Sequence, residues 1–441
     1  MTARADAIVV GAGLSGLKAA CDLVRNGRRV IVLEAQSRIG GRVLGGELCG
    51  HAIDHGAQWI SPRHARVLAE ARRFGMETKL QYSEGKAILS LEGRRSEFVG
   101  EVPGIAVLAQ IELAMLQRRW SKEIATLPAG APWNAAKARE WDSQTLETWI
   151  QKNLSTEASR AFARLVPAAH GTHASEVSYL WMLEMLRSPQ GFEQLMNVKS
   201  GMRDAAFKEG AHTVTQALAK ELDGAIILSA PVRSISQNQS GVVVATDKDS
   251  FEAEHAIVAV APMLCEAIVN RPQPKRRVLA QRMPQTPVMK FHVAYTDCFW
   301  RRRGYSGKVT TDSLPLSQVM EDAHEPPILV CVAQGRHMLE LASMQAGERR
   351  ERVVACLVDL FGPDASEPVG YAEKDWLADE WACGYVAGMG PGVLTQYGDT
   401  LREPDGRVHW AGSETAREWP GTMEGALESG ERAASEVLAR A

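Results

Sequence analysis

The sequence lacks any marked surplus of charge: 50 lysines and arginines stand against 53 aspartates and glutamates in 441 residues, a formal net charge of -3. No basic block is longer than a triplet such as Arg301, Arg302, Arg303, so nothing offers an electrostatic track for nucleic acid, which is not expected as a partner. Cysteine is also sparse. The seven, Cys21, Cys49, Cys265, Cys298, Cys331, Cys356 and Cys383, are odd in number, scattered and form no CxxC pair. That excludes a disulfide scaffold, gives no zinc or dithiol signature, and makes a reducing, cytoplasmic setting the expectation. Long apolar runs are missing too. The best, AIVAVAPMLCEAIV at 256–269, carries Glu266 and falls short of the roughly 20 residues that cross a bilayer, so no membrane partner is expected. Aromatic residues make up only 6% of the chain, but hydrophobic residues reach 45%. That is enough for two or three cored domains of about 150 residues each.

What is present is concentrated at the chain ends. Residues 6–34, DAIVVGAGLSGLKAACDLVRNGRRVIVLE, read as a strand, a glycine-rich turn, a helix, a stop at Gly27 and a second strand, which is a βαβ unit. Gly11 permits the tight turn. Gly13 lets the backbone approach a pyrophosphate where Leu14 and Ser15 open the helix, and Gly16 lets helix and strand pack closely. Glu34, followed by Ala35, ends the second strand as an acceptor for a ribose. Next comes AQSRIGGRV at 35–43, where Gly40 and Gly41 allow close backbone approach and Arg42 is a cation for the diphosphate. The chain closes with RVHWAGSETAREWPGTMEGALESGERAASEVLARA from Arg407. There the small-residue turn Gly412, Ser413, Glu414 is followed by Gly421, Thr422 and Met423 at the start of a helix.

Taken together, these two ends resemble the two-dinucleotide-binding flavoproteins, a likeness that implies FAD. Further segments resemble the flavin-containing amine oxidases, the monoamine oxidase family: DHGAQWI at 54–60, EVSYLWMLEML at 176–186, PVMKFHVAYTDCFWRRRGYSG at 287–307 and GPGVLTQYG at 390–398. This resemblance runs over essentially the whole chain and implies a mixed α/β fold. A discontinuous Rossmann-type FAD domain is expected from 1–80, 206–275 and 376–441. A substrate domain of helices on a mixed sheet is expected from 81–205 and 276–375. It also implies flavin contacts from Gly56, Ala57, Gln58 and Trp59, an adenine contact from Val232, and a tryptophan beside the isoalloxazine, Trp381, from a strand DEWACGY. Lys290, in the alternating strand VMKFHVAY, matches the lysine that holds a water against flavin N5.

Two departures from the family pattern carry information. The cysteine that tethers FAD in animal enzymes is matched by Gly384, and the neighbouring Cys383 would face away in a strand, so FAD is expected to be non-covalent. Of the paired tyrosines around the substrate amine, Tyr385 matches one and Thr422 replaces the other, with Trp419 nearby in sequence. His170, His173, Met202 and Gln318 fall in segments that line the cavity in relatives. The two histidines lack a third ligand, so no metal is expected. No arginine follows Gly56–Trp59 where related L-amino acid oxidases bind a carboxylate. Arg63 and Arg66 read as a solvated helix face, which points to an amine without a carboxylate.

The resulting expectation is oxidation of a small-molecule amine to an imine by hydride transfer to flavin N5, with O2 reduced to H2O2. Alternatives are a heterocyclic-amine oxidase or dehydrogenase with another acceptor, an L-amino acid oxidase, a flavin desaturase and a non-catalytic flavoprotein. A homodimer is compatible with the family resemblance.

Overall fold

The structure, a computed structural model, describes residues 5–91, 93–100, 106–312, 315–322, 327–385 and 388–440. The N-terminal strand Ala5–Val10, the helix Leu14–Arg25 and the strand Val30–Leu33 form the βαβ unit, with the two strands paired in parallel. The strands are β-branched and almost fully buried, as expected of a sheet covered on both faces. The helix stops where Asn26 and Gly27 fold back onto the carbonyls of Asp22, Leu23 and Val24, and Gly27 takes a φ of 74°.

This unit seeds a seven-stranded sheet. Its order is Ile226–Ile227, Val30–Leu33, Ala5–Val10, Ser250–Val258, Gly241–Thr246 and Val232–Asn238, and Val408–Trp410 also pairs with Ser250–Val258. The helix Met423–Leu438 packs on Leu14–Arg25 through Leu427, Ala433 and Ala434. The first and last helices therefore lie side by side, with both N-termini at one end of the sheet.

A second seven-stranded sheet draws its strands from 86–99 and 288–375. Its order is Gly370–Asp375, Val288–Ala294, Ile328–Gln334, Gln318–Glu321, Tyr305–Thr311, Lys86–Leu91 and Arg94–Val99. Only the pairing of Tyr305–Thr311 with Lys86–Leu91 is parallel. Val288–Ala294 is an inner strand, buried along its whole length, with Lys290 opposite Val332 on one side and Lys374 on the other. Helices cover this region, and Tyr179–Arg187 is apolar nearly all round and buried accordingly. Tyr179 stacks on Trp149 at 4.3 Å. Among the described residues no helix is long and apolar enough to cross a membrane.

The segment 379–385 departs from the expected strand. Asp379 accepts from the N–H groups of Trp381 and Ala382, and the Cys383 N–H folds back to the Asp379 carbonyl. Cys383 and Gly384 sit at φ 54° and 122°, which an extended strand cannot accommodate. The chain therefore turns here and carries Tyr385 into a cavity wall.

Candidate active site

One cavity of about 460 Å³ runs from the glycine-rich turn, between the two sheets, to a pocket under the helices. At the first end it is lined by Gly11, Gly13, Leu14, Ser15, Glu34, Ala35 and Val232, and further along by Gly41, Arg42, Gly412 and Ser413. The middle is walled by Gly56, Ala57, Gln58, Trp59 and Lys290, with Gly421, Thr422 and Met423. Tyr385, His170, Met202 and Gln318 line it as well.

The first end fits a dinucleotide. The helix Leu14–Arg25 has Gly13 as its N-cap with no side-chain cap, so its first N–H groups are left open to an anion at the positive end of the helix. A Cβ added at Gly13 would meet nothing within 4 Å, whereas one at Gly16 would lie 2.0 Å from the Gly11 carbonyl. Gly13 thus faces open space that a ligand can fill, and Gly16 is the point of tight helix-to-turn packing, outside the lining. Glu34 accepts from Ala12 N–H at 2.7 Å and Gln36 N–H at 2.9 Å. Burial pushes its carboxyl up despite those bonds.

The diphosphate region differs from the expectation. Arg42 is committed to Glu414, Nη1 to Oε1 and Nη2 to Oε2, both at 2.8 Å, and it also donates to the Tyr385 carbonyl at 3.0 Å. Glu414 is buried and absent from the cavity lining, so its role toward a cofactor is indirect: it neutralises and aims Arg42.

Lys290 is held at three points. Its Nζ donates to the carbonyls of Asp54 (2.5 Å) and Gly56 (3.0 Å) and to Gln58 Oε1 (2.8 Å), and it lies 5.2 Å from the centre of the Trp59 ring. Gln58 in turn donates to Asp322. Burial lowers the Lys290 pKa to about 8, against the pull of the Asp54 and Asp322 charges.

Two tryptophans need correction. Trp381 lines the cavity, but its ring sits 5.8 Å from the Arg233 guanidinium, next to Val232. A further lining tryptophan, Trp376, was missed by the sequence reading. Its Nε1 donates to the His55 carbonyl, and its ring edge packs against Gly56, whose carbonyl accepts from Lys290. Trp419 does not reach the cavity lining. It is buried at φ 54°, edge-on to His64 at 4.6 Å, and so does not rebuild the missing half of the aromatic pair. His173 is exposed and bonded to Ser175, while His170 is held by the Val166 carbonyl and packs on Trp181. The Thr422 hydroxyl caps the last helix, accepting from Gly425 N–H and donating to the Trp419 carbonyl.

Covalent attachment has no support in the geometry. Gly384 lines the cavity, but a Cβ there would lie 2.5 Å from the Thr286 carbonyl at an unfavourable φ. Cys383 is outside the lining, its Sγ donating to the Glu380 carbonyl, and burial pushes its thiol pKa up. Acid precipitation of the holoprotein is expected to leave all flavin in the supernatant; a yellow pellet would contradict this. Gly384→Cys is expected to cost about 1–3 kcal/mol of stability, read by thermal or urea unfolding.

Residues 14–438 match the family described as flavin containing amine oxidoreductase. The chain is 35% identical over 441 residues to a Mycobacterium tuberculosis protein named for a flavin-containing monoamine oxidase, AofH, covering 98% of this chain and 96% of that one. It is 34% identical to a flavin-containing amine oxidase of Danio rerio, covering 99% and 87%. Among solved structures, wild-type putrescine oxidase bound to putrescine superposes with a TM-score of 0.94 at 30% identity. Cyclohexylamine oxidase from Brevibacterium oxydans does so with 0.93 at 28%, each covering 99% of both chains. The chain thus belongs to the flavin-containing amine oxidoreductases, as an oxidoreductase acting on amines with non-covalent FAD as its cofactor.

Proposed function

We propose that the protein is an amine oxidase that removes a hydride equivalent from the carbon bonded to an amine nitrogen and releases an imine for hydrolysis, with O2 reduced to H2O2. FAD, when bound, supplies the two-electron acceptor at N5 and passes the electrons to oxygen. The residues that would hold it are the Gly13 turn and helix N-terminus, Glu34, Arg42 with Glu414, Gly56–Trp59 and the Thr422–Met423 helix start.

The observation that carries this reading is the placement of Lys290. Among the described lining residues a single ammonium, fixed by three oxygens, stands in the middle of a cavity whose two ends differ in chemistry. Its charge favours negative charge developing beside it. On the substrate side, Ala169, Leu195, Met202 and Tyr385 give a largely apolar wall, which favours the neutral amine over the ammonium. We assign Tyr385 to orient the nitrogen, with Met202, Gln318 and His170 shaping the space around it. No strong base is required of the chain. Burial lowers His55 and His64 to about 4 and lowers His170 as well, so these histidines are neutral at pH 7. What the protein contributes is position and exclusion of water.

Simultaneous measurement of amine consumed, oxygen consumed and peroxide formed tests the proposal. One peroxide per amine is expected. Turnover that requires an added electron acceptor and yields no peroxide would replace the oxidase with a dehydrogenase.

A further inference from the structure

Arg203 lines the cavity beside Met202, and nothing in the reaction above uses it. Its guanidinium donates to Gln318 Oε1 at 2.9 Å and to the Leu195 carbonyl at 3.4 Å, and lies 5.8 Å from the centre of the Trp59 ring. Gln318 and the Leu195 carbonyl are neutral acceptors, and among the described residues Arg203 enters no ion pair. The contrast with the other two arginines among the described lining residues is direct, since Arg42 has Glu414 and Arg233 has Asp247. Burial lowers the Arg203 pKa, yet a guanidinium stays charged at neutral pH. A desolvated cation with only dipoles around it is costly, and an incoming anion offsets that cost.

The rest of the lining sharpens the point. Glu34 is the one carboxylate among the described lining residues, and it sits at the glycine-turn end, bonded to Ala12 and Gln36. The other end presents Lys290 and Arg203 with no acid between them. Arg203 and Tyr385 line the same cavity, so Arg203 faces the space assigned to the substrate. Arg63 and Arg66 do not line the cavity. Arg63 donates to Gln190, and Arg66 pairs with Glu424 and Glu431.

Resting on the amine oxidase reading, we propose that Arg203 forms an anion subsite and that the substrate is an amine carrying a carboxylate, its two oxygens taken by the guanidinium fork while the nitrogen lies toward Tyr385. Planar bidentate pairing is the geometry a guanidinium offers and an ammonium does not. The same two cations disfavour a diamine, whose second ammonium would meet Arg203 without a counter-charge. This reverses the sequence-based expectation of a carboxylate-free amine, which considered only the arginines following Trp59.

The test uses the FAD-loaded enzyme and matched pairs: straight-chain amino carboxylates of increasing length, and L-amino acids, each beside its carboxamide. Anaerobic flavin bleaching gives the half-saturating concentration of each. The preferred acid is expected to saturate at about 10- to 100-fold lower concentration than its carboxamide. That ratio should fall to near one in Arg203→Gln and be partly retained in Arg203→Lys. Butyrate and valerate, which have no amine to oxidise, give a second readout through the flavin difference spectrum: saturable binding in the wild type, lost in Arg203→Gln at equal FAD content. Equal treatment of acid and carboxamide by the wild type overturns the proposal, as does a preference that survives in Arg203→Gln. If amines bleach the flavin with no carboxylate preference, the anion subsite falls and the amine oxidase stands. If carboxylates bind through Arg203 but no amine bleaches the flavin, the reverse holds.

Discussion

Replacing Lys290 by methionine is expected to slow reoxidation of the reduced enzyme by air by about 100- to 1,000-fold, the range seen when one preorganised electrostatic group is removed from a reacting centre. Anaerobic reduction by amine should change less, because negative charge is only partly developed in the hydride-transfer transition state, whereas the reaction with oxygen starts from the fully reduced, anionic flavin. Methionine keeps much of the length and apolar stem, so packing in the inner strand Val288–Ala294 is largely retained. The cation is already oriented by Asp54, Gly56 and Gln58, which makes the effect large: no reorganisation is needed before it acts. A pH dependence accompanies it. With its pKa lowered to about 8, Lys290 loses its charge as pH rises through that value, and a neighbouring anion moves the point upward. Reoxidation in the wild type should therefore decline with rising pH from no lower than about 8, while Lys290→Met shows no such decline. A pH-independent wild-type rate, or equal rates in the two proteins, would remove Lys290 from this role.

Arg42→Met is expected to destabilise the protein by about 3–5 kcal/mol, because it leaves Glu414 as an unpaired charge in the interior. The Glu414 side chain is 1% exposed. Burial pushes its pKa up, but the charge and hydrogen bonds of Arg42 outweigh this and hold it below its ordinary value of 4.5. In the wild type this pair contributes stability above pH 4.5 that is lost on acidification. In the variant burial, the largest effect, is opposed only by neutral hydrogen-bond donors such as the Ser413 hydroxyl and a backbone N–H, so the Glu414 carboxyl favours protonation and its contribution improves as pH falls. Adding Glu414→Gln to Arg42→Met should recover part of the loss, giving a coupling energy in a double-mutant cycle. Urea unfolding at pH 7 and pH 5 measures both effects, and additive costs with the same pH trend in wild type and variant would contradict this account.

The parts of the site that were legible in the sequence are those written in contiguous residues. The glycine turn, Glu34, and the helix start at Thr422 each carry their geometry in a short motif, because backbone conformation and helix polarity are local. Lys290 was legible through its strand alternation and family match, but its acceptors lie 232 to 236 residues away and no spacing rule connects them. Arg42 was read as free for a phosphate because its partner Glu414 is 372 residues distant. Trp381 was placed beside the flavin on the family match and a strand reading of DEWACGY, and the Asp379-centred turn breaks that strand; Trp376 carries no local signal of its own. Arg203 was missed for a similar reason. It lies between the helix Phe192–Met196 and the strand Ala205–Phe207, where neither period assigns a face, and only the folded chain shows it in the cavity without an acid.

The most direct measurement is stopped-flow anaerobic mixing of the FAD-loaded enzyme with monoamines, diamines, cyclic amines and amino carboxylates, following flavin absorbance before air is admitted. The account predicts saturable bleaching by an amine, with an amino carboxylate ahead of the diamines, followed by recovery in air with one peroxide per flavin. A flavin that stays oxidised with every amine would contradict it.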